Sequence, residues 1–217
     1  MKNTKYELLQ EDTKQHFGHT LYRIKALVAI GGLVAAGDLG GYIESEKNLI
    51  ASGNAWVFGD AQVYGNAWVF GNARVSGDAR VFGDAQVFGD ARVFGDARVS
   101  GDAWVSGDAW VSGDARVSGD ARVSGNARVS GNAQVQKKTD IQTYSGVGSE
   151  SGTLTVYRSK NGLELTRGCF RGDLAKFRAA VVDRHGEDSK FGRSYLGICN
   201  LIEFWFDIQP VSVEVSA

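Results

Sequence analysis

The chain has 217 residues, of which 29 are Gly and one is Pro, and its 24 basic and 25 acidic side chains leave a formal net charge of −1. A strict short Gly period without Pro excludes collagen and predicts a repeat fold, while the balanced charge gives the whole chain no attraction to nucleic acid or membrane. The longest apolar run, Ala26 to Ala36, is too short to cross a bilayer and starts too far into the chain for a signal peptide.

Residues 1–52 are predicted to form a cap at the N-terminal end of a repeat region. One segment alternates in polarity, which predicts a strand with one buried face. The residues expected on that face are Tyr22, Ile24, Ala26 and Val28. Ile43 and Leu49 fall in frame with the Ala position of the repeats that follow, so the coil is expected to start there in degenerate form. A covered end is expected because an open end would leave backbone groups unpaired.

Residues 53–136 consist of fourteen consecutive six-residue repeats, from GNAWVF to GNAQVQ. Successive side chains of a strand point to opposite sides, so the third residue, Ala, and the fifth, Val, are predicted to point inward together. Gly followed by Asp or Asn supplies the bend between strands. Because one repeat buries too little surface to fold alone, we predict stacked coils of three repeats in a column ~22 Å tall.

The pattern V-x-G-[DN]-A-x resembles the hexapeptide repeat of left-handed β-helix proteins, best known from trimeric acyltransferases. The leader segments TLYRIKAL and GDLGGYIESEKNL, followed by GNAWVF, are similar to an uncharacterised hexapeptide-repeat family of enterobacteria and their phages, often labelled as acyltransferases. Leader and repeats cover residues 19–136. The resemblance implies an all-β solenoid, a left-handed parallel β-helix, and a phage or prophage origin.

After Gln136 the period stops, and the composition changes. Residues 137–152 are predicted to be a linker, because their second half is rich in Ser and Gly. Residues 153–217 are predicted to be a small α+β domain, which begins with a hairpin around Asn161-Gly162.

Two helices and a last strand complete the predicted C-terminal domain. Asp173 can cap the first helix, which carries Leu174, Phe177 and Val181 and ends at Gly186. The second helix is predicted from one apolar stripe, formed by Phe191, Tyr195, Ile198, Ile202 and Trp205. The last strand is predicted from the alternation of Val211, Val213 and Val215.

Few residues in the chain suggest catalysis. The resemblance implies a histidine base and a loop that frames the substrate, but the repeats contain neither His nor an insertion. His16 and His19 are spaced as two metal ligands on one helix face, although no cluster of Cys, Asp or Glu completes a site. His185 is expected at a helix end, where its charge suits the macrodipole. No catalytic residue, metal or cofactor is therefore predicted.

The cysteine content favours a reducing location. Cys169 and Cys199 are two lone residues whose spacing fits neither a disulfide framework nor a zinc site. We therefore expect a cytoplasmic protein, in the host cell if it is phage encoded.

One column of carboxylates is predicted at a corner of the solenoid. Its members recur every eighteen residues: Asp60, Asp78, Asp96 and Asp114. Such a ladder can bind calcium. However, Arg80, Arg98 and Arg116 follow on the adjacent strands, so a salt-bridged, solvated ladder is favoured.

The fourth residue of each repeat points outward and forms three columns with eighteen-residue spacing. The first column contains Trp56, Arg74, Arg92, Trp110 and Arg128; the second contains Gln62, Arg80, Arg98, Arg116 and Gln134; the third contains Trp68, Gln86, Trp104 and Arg122. Arg interleaved with Trp suits planar or anionic partners, including nucleic acid. The alternative is that Arg pairs with neighbouring Asp while Trp fills the surface.

The sixth residue of each repeat divides the column into two halves. In the first half it is usually aromatic, and these residues are called the aromatic girdle: Phe58, Tyr64, Phe70, Phe82, Phe88 and Phe94. From Ser100 to Ser130 it is always Ser. An exposed girdle would be an unusual apolar patch for a monomer, so the cap, the C-terminal domain or other subunits are expected to cover it. With the trimeric resemblance, this predicts a homo-oligomer, most simply a trimer.

Three functional hypotheses follow from the sequence. The first is a non-enzymatic binding or scaffold protein whose column presents a domain or a face to a host protein, with inhibition of that protein as one option. The second is an acyltransferase-like enzyme that takes its catalytic His from the cap or from a partner subunit. The third is a nucleic-acid or nucleotide binder that uses the Arg and Trp columns.

Overall fold

The computed structural model describes residues 3–208. They fold as a parallel β-solenoid of roughly five turns, with a β cap before it and a small unit of strands and helices after it. The predicted fold class is therefore confirmed. Residues 209–217, and with them the predicted strand of Val211, Val213 and Val215, lie outside the described residues.

The cap is an antiparallel meander that joins the solenoid directly. Its strands are β1 (Tyr6–His16), β2 (His19–Ala26) and β3 (Leu39–Ile43). β1 pairs with β2 and β2 with β3, both antiparallel. A 3₁₀ turn, Glu46–Asn48, then leads into the column.

The column has three parallel sheets, each built from every third strand. Its strands are β4 (Leu49–Gly53), β5 (Trp56–Val57), β6 (Gln62–Val63), β7 (Trp68–Gly71), β8 (Arg74–Val75), β9 (Arg80–Val81), β10 (Gln86–Val87), β11 (Arg92–Val93), β12 (Arg98–Val99), β13 (Trp104–Val105), β14 (Trp110–Val111), β15 (Arg116–Val117), β16 (Arg122–Val123), β17 (Arg128–Val129) and β18 (Gln134–Val135). The sheets run β3-β6-β9-β12-β15-β18, β4-β7-β10-β13-β16 and β5-β8-β11-β14-β17.

The interior of the column contains the Ala and Val of every repeat, as predicted. All of these side chains have an exposed fraction of 0 to 1%. The repeat Gly has a positive φ that few other residues adopt, and at Gly89 (φ +71°) an added Cβ would lie 2.9 Å from the backbone N of Gly107. The strict Gly period is therefore required both by the turn conformation and by the close approach of successive coils.

The first coil starts in the cap, but in a different frame from the predicted one. Ile43 pairs with Val63 and Leu49 with Val69, so both occupy the Val position of the repeat rather than the Ala position. The lead-in is two residues longer than a regular coil, because the pairing of β4 with β7 shifts register between Leu49, opposite Val69, and Gly53, opposite Gly71. Both side chains are still fully buried.

The predicted strand of the cap is confirmed as β2, although both of its faces are covered. Ile24 and Ala26 are buried in the column core, while Leu21 packs with Tyr42 and Tyr64 in a separate cluster. Val28 lies beyond the end of β2 and is exposed.

Residues of the cap close the N-terminal end of the column. The buried Lys5 donates from Nζ to the carbonyl oxygen of Ala55 at 2.8 Å. The Tyr6 hydroxyl donates to the carbonyl oxygen of Leu49 at 2.6 Å, and its ring packs edge-on to Trp56. Burial lowers the pKa of Lys5 to about 8. At β4 and β5 the open edge of the first coil is thus satisfied in part by side chains, whereas the sheet that starts at β3 is extended by β2 and β1.

The C-terminal unit begins within the predicted linker. Its elements are β19 (Ile141–Val147), β20 (Gly152–Ser159), β21 (Gly162–Arg167), β22 (Phe170–Gly172), α1 (Leu174–His185) and α2 (Lys190–Phe206). The four strands form one antiparallel sheet. The Ser- and Gly-rich segment 145–152 is therefore the end of β19 and a turn rather than a linker, because β19 finds a partner in β20. The predicted hairpin is confirmed, with Ser159 opposite Gly162.

The sheet closes the far end of the column with one face and holds the helices on the other. Leu154 and Val156 of β20 pack against the helices, whereas Tyr157 is buried in the column core. The Thr155 hydroxyl accepts from the backbone N–H of Arg128 at 3.1 Å. The last coil therefore finds hydrogen-bond partners in the C-terminal sheet.

The first helix agrees with its prediction and the second differs in one respect. Asp173 caps α1 by accepting from Lys176 N–H, and Gly186 ends it with φ +72°. The buried stripe of α2 consists of Gly192, Tyr195, Cys199, Ile202 and Phe206. Of the predicted stripe, Tyr195 and Ile202 are buried, whereas Phe191 and Ile198 are partly buried and Trp205 is half exposed, because the helix is apolar on more than one side and packing selects the inner one. No helix within residues 3–208 is long and apolar enough to cross a membrane.

Candidate functional site

The three outer faces of the column share one backbone but differ in what covers their side chains. We call them the mixed face (Trp56, Arg74, Arg92, Trp110, Arg128), the arginine face (Gln62, Arg80, Arg98, Arg116, Gln134) and the tryptophan face (Trp68, Gln86, Trp104, Arg122). In each face the fourth residues of successive coils lie in register, as in Arg80, Arg98 and Arg116.

Trp56 of the mixed face is not available for binding. It was expected to be exposed, but only 1% of its surface is accessible. The cap folds back over it, so Trp56 belongs to one cluster with Ile30, Val34 and Tyr6. The expectation was wrong because an outward-pointing residue in the first coil faces the cap rather than solvent.

Three of the remaining side chains of the mixed face, Arg92, Trp110 and Arg128, contact one another. The guanidinium carbons of Arg92 and Arg128 lie 5.1 and 4.7 Å from the ring centre of Trp110. Phe94 packs against the same ring at 6.0 Å, edge to face. Trp110 is therefore held between two cations, which is a favourable arrangement for all three side chains.

The tryptophan face carries the most exposed aromatic side chains of the column. Trp68 and Trp104 have exposed fractions of 47% and 40%. Phe70 and Phe88 of the girdle stack at 4.9 Å beside them. Arg122 covers one side of Trp104 at 4.2 Å. This face combines apolar area with few unpaired charges.

The arginine face has the opposite character. Within the part of the chain that the structure describes, none of Arg80, Arg98 and Arg116 forms an ion pair within 4.0 Å. Their neighbours above and below are again Arg or Gln. Three guanidinium groups are thus left in register without a partner.

The predicted salt-bridged ladder is wrong. Among residues 3–208, no ion pair involves Asp78, Asp96 or Asp114. Each Asp lies in the turn and the Arg two residues later lies on the strand, so closeness in sequence does not bring the two charges within ion-pair distance. Asp60 is the exception, because Lys14 of the cap binds it at 2.7 Å and lowers its pKa.

The girdle is covered partly by the cap and partly by itself. Tyr64 is buried, and it stacks on Phe82 at 5.1 Å with nearly parallel rings. Phe58 packs against the column core. The remaining girdle residues are half-buried, so stacking along the column removes much of the exposed apolar surface that the sequence predicts.

Two histidines of the cap lie at the N-terminal end of the arginine face. His16 and His19 pair across the β1–β2 turn rather than along a helix. Each ring is centred 5.2 Å from Tyr64. The pKa of His16 is lowered by burial and by the charge of Arg80. The histidines therefore belong to the arginine face, a placement that their spacing did not predict.

A hydrogen bond orients His19. Its Nδ1 lies 2.9 Å from Oε1 of Glu44, and Oε2 of Glu44 accepts from the backbone N–H of Gly65 at 2.7 Å. Burial acts to raise the pKa of Glu44, but the hydrogen bonds from His19 and Gly65 outweigh it and lower the pKa. When Nδ1 carries the proton, Nε2 of His19 is free to act as a base. The pair was missed in the sequence because 25 residues separate its members.

Two buried polar atoms at this end of the face lack hydrogen-bond partners among the described residues. They are Nε2 of His16 and Oε1 of Gln62. His16, His19, Glu44, Gln62 and Tyr64 are called the junction site below. Within residues 3–208 no group of three or more His, Cys, Asp or Glu side chains could hold a metal ion.

Comparison with known proteins identifies the repeats. Six segments match the family described as the YdcK beta solenoid repeat: residues 61–77, 73–89, 85–101, 91–107, 97–113 and 121–136. The chain is a repeat β-helix protein. The matches lie in the column alone, so they concern its architecture and leave the cap and the C-terminal unit unassigned. No curated protein matches the chain.

Proposed function

We propose that this protein is a non-enzymatic binding protein whose arginine face engages an acidic surface of a partner protein. The observation that carries the proposal is the unpaired, in-register column of Arg80, Arg98 and Arg116. On the other two faces Arg92, Arg122 and Arg128 are stacked on Trp rings, so these three cations are less available.

Electrostatics favours an anionic partner for this face. Two like charges at the inter-coil spacing of ~4.8 Å repel each other by about 0.9 kcal/mol in water. Carboxylates placed between the guanidinium groups would relieve this repulsion and accept paired hydrogen bonds from the planar groups. A rigid column keeps the three groups in place before binding, which lowers the entropic cost of association.

The same face is less suited to nucleic acid. Asp78, Asp96 and Asp114 line the turns beside the three arginines and have no ion pair in the described part of the chain. A continuous polyphosphate would lie close to these carboxylates, whereas discrete acidic side chains of a protein can fit between them. We therefore favour a protein partner, as in the first of the three hypotheses. Because both cysteines are free thiols, we expect the two proteins to interact in a reducing, cytoplasmic environment.

The tryptophan face is assigned, in this proposal, to contacts with other copies of the chain. Trp68 and Trp104 are exposed side chains of the kind that dominate protein interfaces, and Phe70 and Phe88 extend the same surface. A homotrimer would cover this face and leave the arginine face free for the partner. Light scattering that gives a monomer mass at micromolar concentration would contradict this assembly.

Polyglutamate provides a defined test of the arginine face. The triple variant Arg80→Gln/Arg98→Gln/Arg116→Gln should lose calorimetric binding to polyglutamate, whereas a control with Arg74→Gln/Arg92→Gln/Arg128→Gln on the mixed face should keep it. The same two variants can then be used to capture proteins from a host lysate. A specific partner should bind the mixed-face control but not the arginine-face variant. Equal loss in both variants would overturn the proposal. Salt-sensitive binding of single-stranded DNA, but not of polyglutamate, would favour the nucleic-acid alternative.

The junction site supports a second candidate function, acyl transfer. The hydrogen bond from His19 to Glu44 resembles the base and orienting carboxylate that acyl transfer uses. The described column has no loop that frames a substrate, which is why this candidate ranks second. Calorimetric binding of acetyl-CoA, with acetyl transfer abolished by His19→Ala, would establish it and overturn the non-enzymatic proposal.

A further inference from the structure

The C-terminal unit contains a cleft of about 520 Å³ between α1 and the turns of its sheet. This volume is within the range of about 300–1,000 Å³ that small-molecule sites occupy. The cleft lies in a different part of the fold from the arginine face and the junction site. None of the functions considered above uses it.

The floor of the cleft is aromatic. Phe170 and Phe177 meet edge to face at 5.1 Å, and Phe177 meets Tyr195 at 5.6 Å. His185 stacks on Tyr195 at 5.7 Å and forms part of the same wall. Such a surface suits the flat or branched apolar body of a small ligand.

A guanidinium group forms one side of the cleft and is rigidly held. Arg167 donates from Nε to the Tyr195 hydroxyl at 3.1 Å and from Nη2 to the carbonyl oxygen of Val147 at 3.0 Å. Only 13% of its side chain is exposed. Nη1 forms no hydrogen bond within residues 3–208, and its ion pair with Oε2 of Glu150, at 3.8 Å, involves a side chain that is 70% exposed. Arg167 therefore places a rigidly held guanidinium group in the wall of the cleft, next to Glu150.

A second cation makes the rim positive. Arg184 lines the cleft from the last turn of α1 and is exposed. Glu150 is the acidic residue among the lining side chains, so two guanidinium groups face one carboxylate. An anionic group at this rim would be attracted, and it would accept hydrogen bonds from a donor that is already in place.

We propose that this cleft binds a small organic anion with an apolar body and one carboxylate. The carboxylate binds Nη1 of Arg167 and the guanidinium group of Arg184. The apolar body lies on Phe170, Phe177 and Tyr195. Specificity for the charge comes from the rim, and the size limit comes from the closed aromatic floor.

The probe for this site is 2-naphthoate, with neutral 2-naphthylmethanol as its matched control. Titration of the full-length protein by saturation-transfer NMR should show about tenfold tighter binding of the carboxylate than of the alcohol. Arg184→Gln should weaken 2-naphthoate binding about fivefold, because one charge-assisted hydrogen bond is lost while the aromatic floor remains.

A second pair of variants locates the bound probe. Ala180 lines the cleft and Ala179, its neighbour in α1, does not. Ala180→Trp should abolish 2-naphthoate binding, whereas Ala179→Trp should leave it unchanged. If circular dichroism shows that Ala180→Trp does not fold, 2-naphthoate binding by Arg184→Gln, at an exposed position, is the test instead. Absence of binding at millimolar concentration, equal binding of acid and alcohol, or binding that survives both Ala180→Trp and Arg184→Gln would overturn the proposal.

Discussion

The arginine face and the tryptophan face use the same repeat, the same strand position and the same backbone, yet their side chains behave differently. On the tryptophan face, Arg122 follows Trp104 in the next coil and lies over its ring. On the arginine face, the neighbours of Arg98 are Arg80 and Arg116, and no stacking partner exists among the described coils. The order of Arg and Trp residues along a column therefore determines whether an Arg side chain stacks on a neighbouring ring or remains available to a binding partner.

The mixed face extends this comparison to the ends of the column. Trp56, Trp68 and Trp104 all occupy the fourth position of a repeat, but the cap covers only the first. Trp residues at the same position of the repeat should thus differ in what they contribute to stability and to binding. Four predictions test this view, starting with the largest expected effect.

The largest effect should come from removing the covered tryptophan. Trp56→Ala should lower the free energy of unfolding by about 3–5 kcal/mol, because it opens a cavity between cap and column. Measured at a concentration at which the chain is monomeric, Trp104→Ala should lower it by less than about 1 kcal/mol, since 40% of that side chain is exposed in the single chain. Urea denaturation of both variants measures the difference. Similar losses in the two variants would contradict the role assigned to the cap.

The buried amine of the cap should make stability depend on pH. The pKa of Lys5 is about 8 in the folded protein against 10.5 for an unperturbed lysine. Between these values the unfolded chain binds more protons, so stability rises as pH increases from about 8 to 10.5, by on the order of 3 kcal/mol. Thermal melts should show this rise for the wild type relative to Lys5→Met. Parallel pH profiles of the two proteins would show that Lys5 titrates normally.

Adding a charge to the tryptophan face should disrupt self-association. Trp104→Arg places a cation beside Arg122 and removes exposed aromatic area, which should cost about 2 kcal/mol or more at an interface. Light scattering should then show a trimer for the wild type and monomers for the variant. Arg92→Gln on the mixed face is the matched control and should keep the trimer.

The smallest effect should come from placing a Trp next to Arg residues on the arginine face, as on the tryptophan face. Arg98→Trp supplies a ring on which Arg80 and Arg116 can stack, as Arg122 stacks on Trp104. Polyglutamate binding should weaken about tenfold, since one cation is removed and two become partly engaged. Arg92→Trp removes the same charge from the mixed face and should have little effect. Unchanged binding in Arg98→Trp would show that the three arginines do not act together.

Much of the fold was determined by local sequence. Ala and Val point inward because a strand alternates its side chains, and Gly is required at each corner by its positive φ. Asp173 and Gly186 mark the ends of α1 for equally local reasons, since each acts within one turn of the helix. Such features depend on a few neighbouring residues, so one sequence suffices to predict them.

The candidate sites were decided by tertiary structure. The burial of Trp56, the pairing of His19 with Glu44, the strand found at Ile141–Val147 and the buried stripe of α2 all depend on segments far apart in the chain. A repeat specifies whether a side chain points into or out of the column, but not which other segment of the chain packs over it. Sequence periodicity therefore determined the column, whereas contacts between the column and its two ends decided which side chains are covered and which are free to bind.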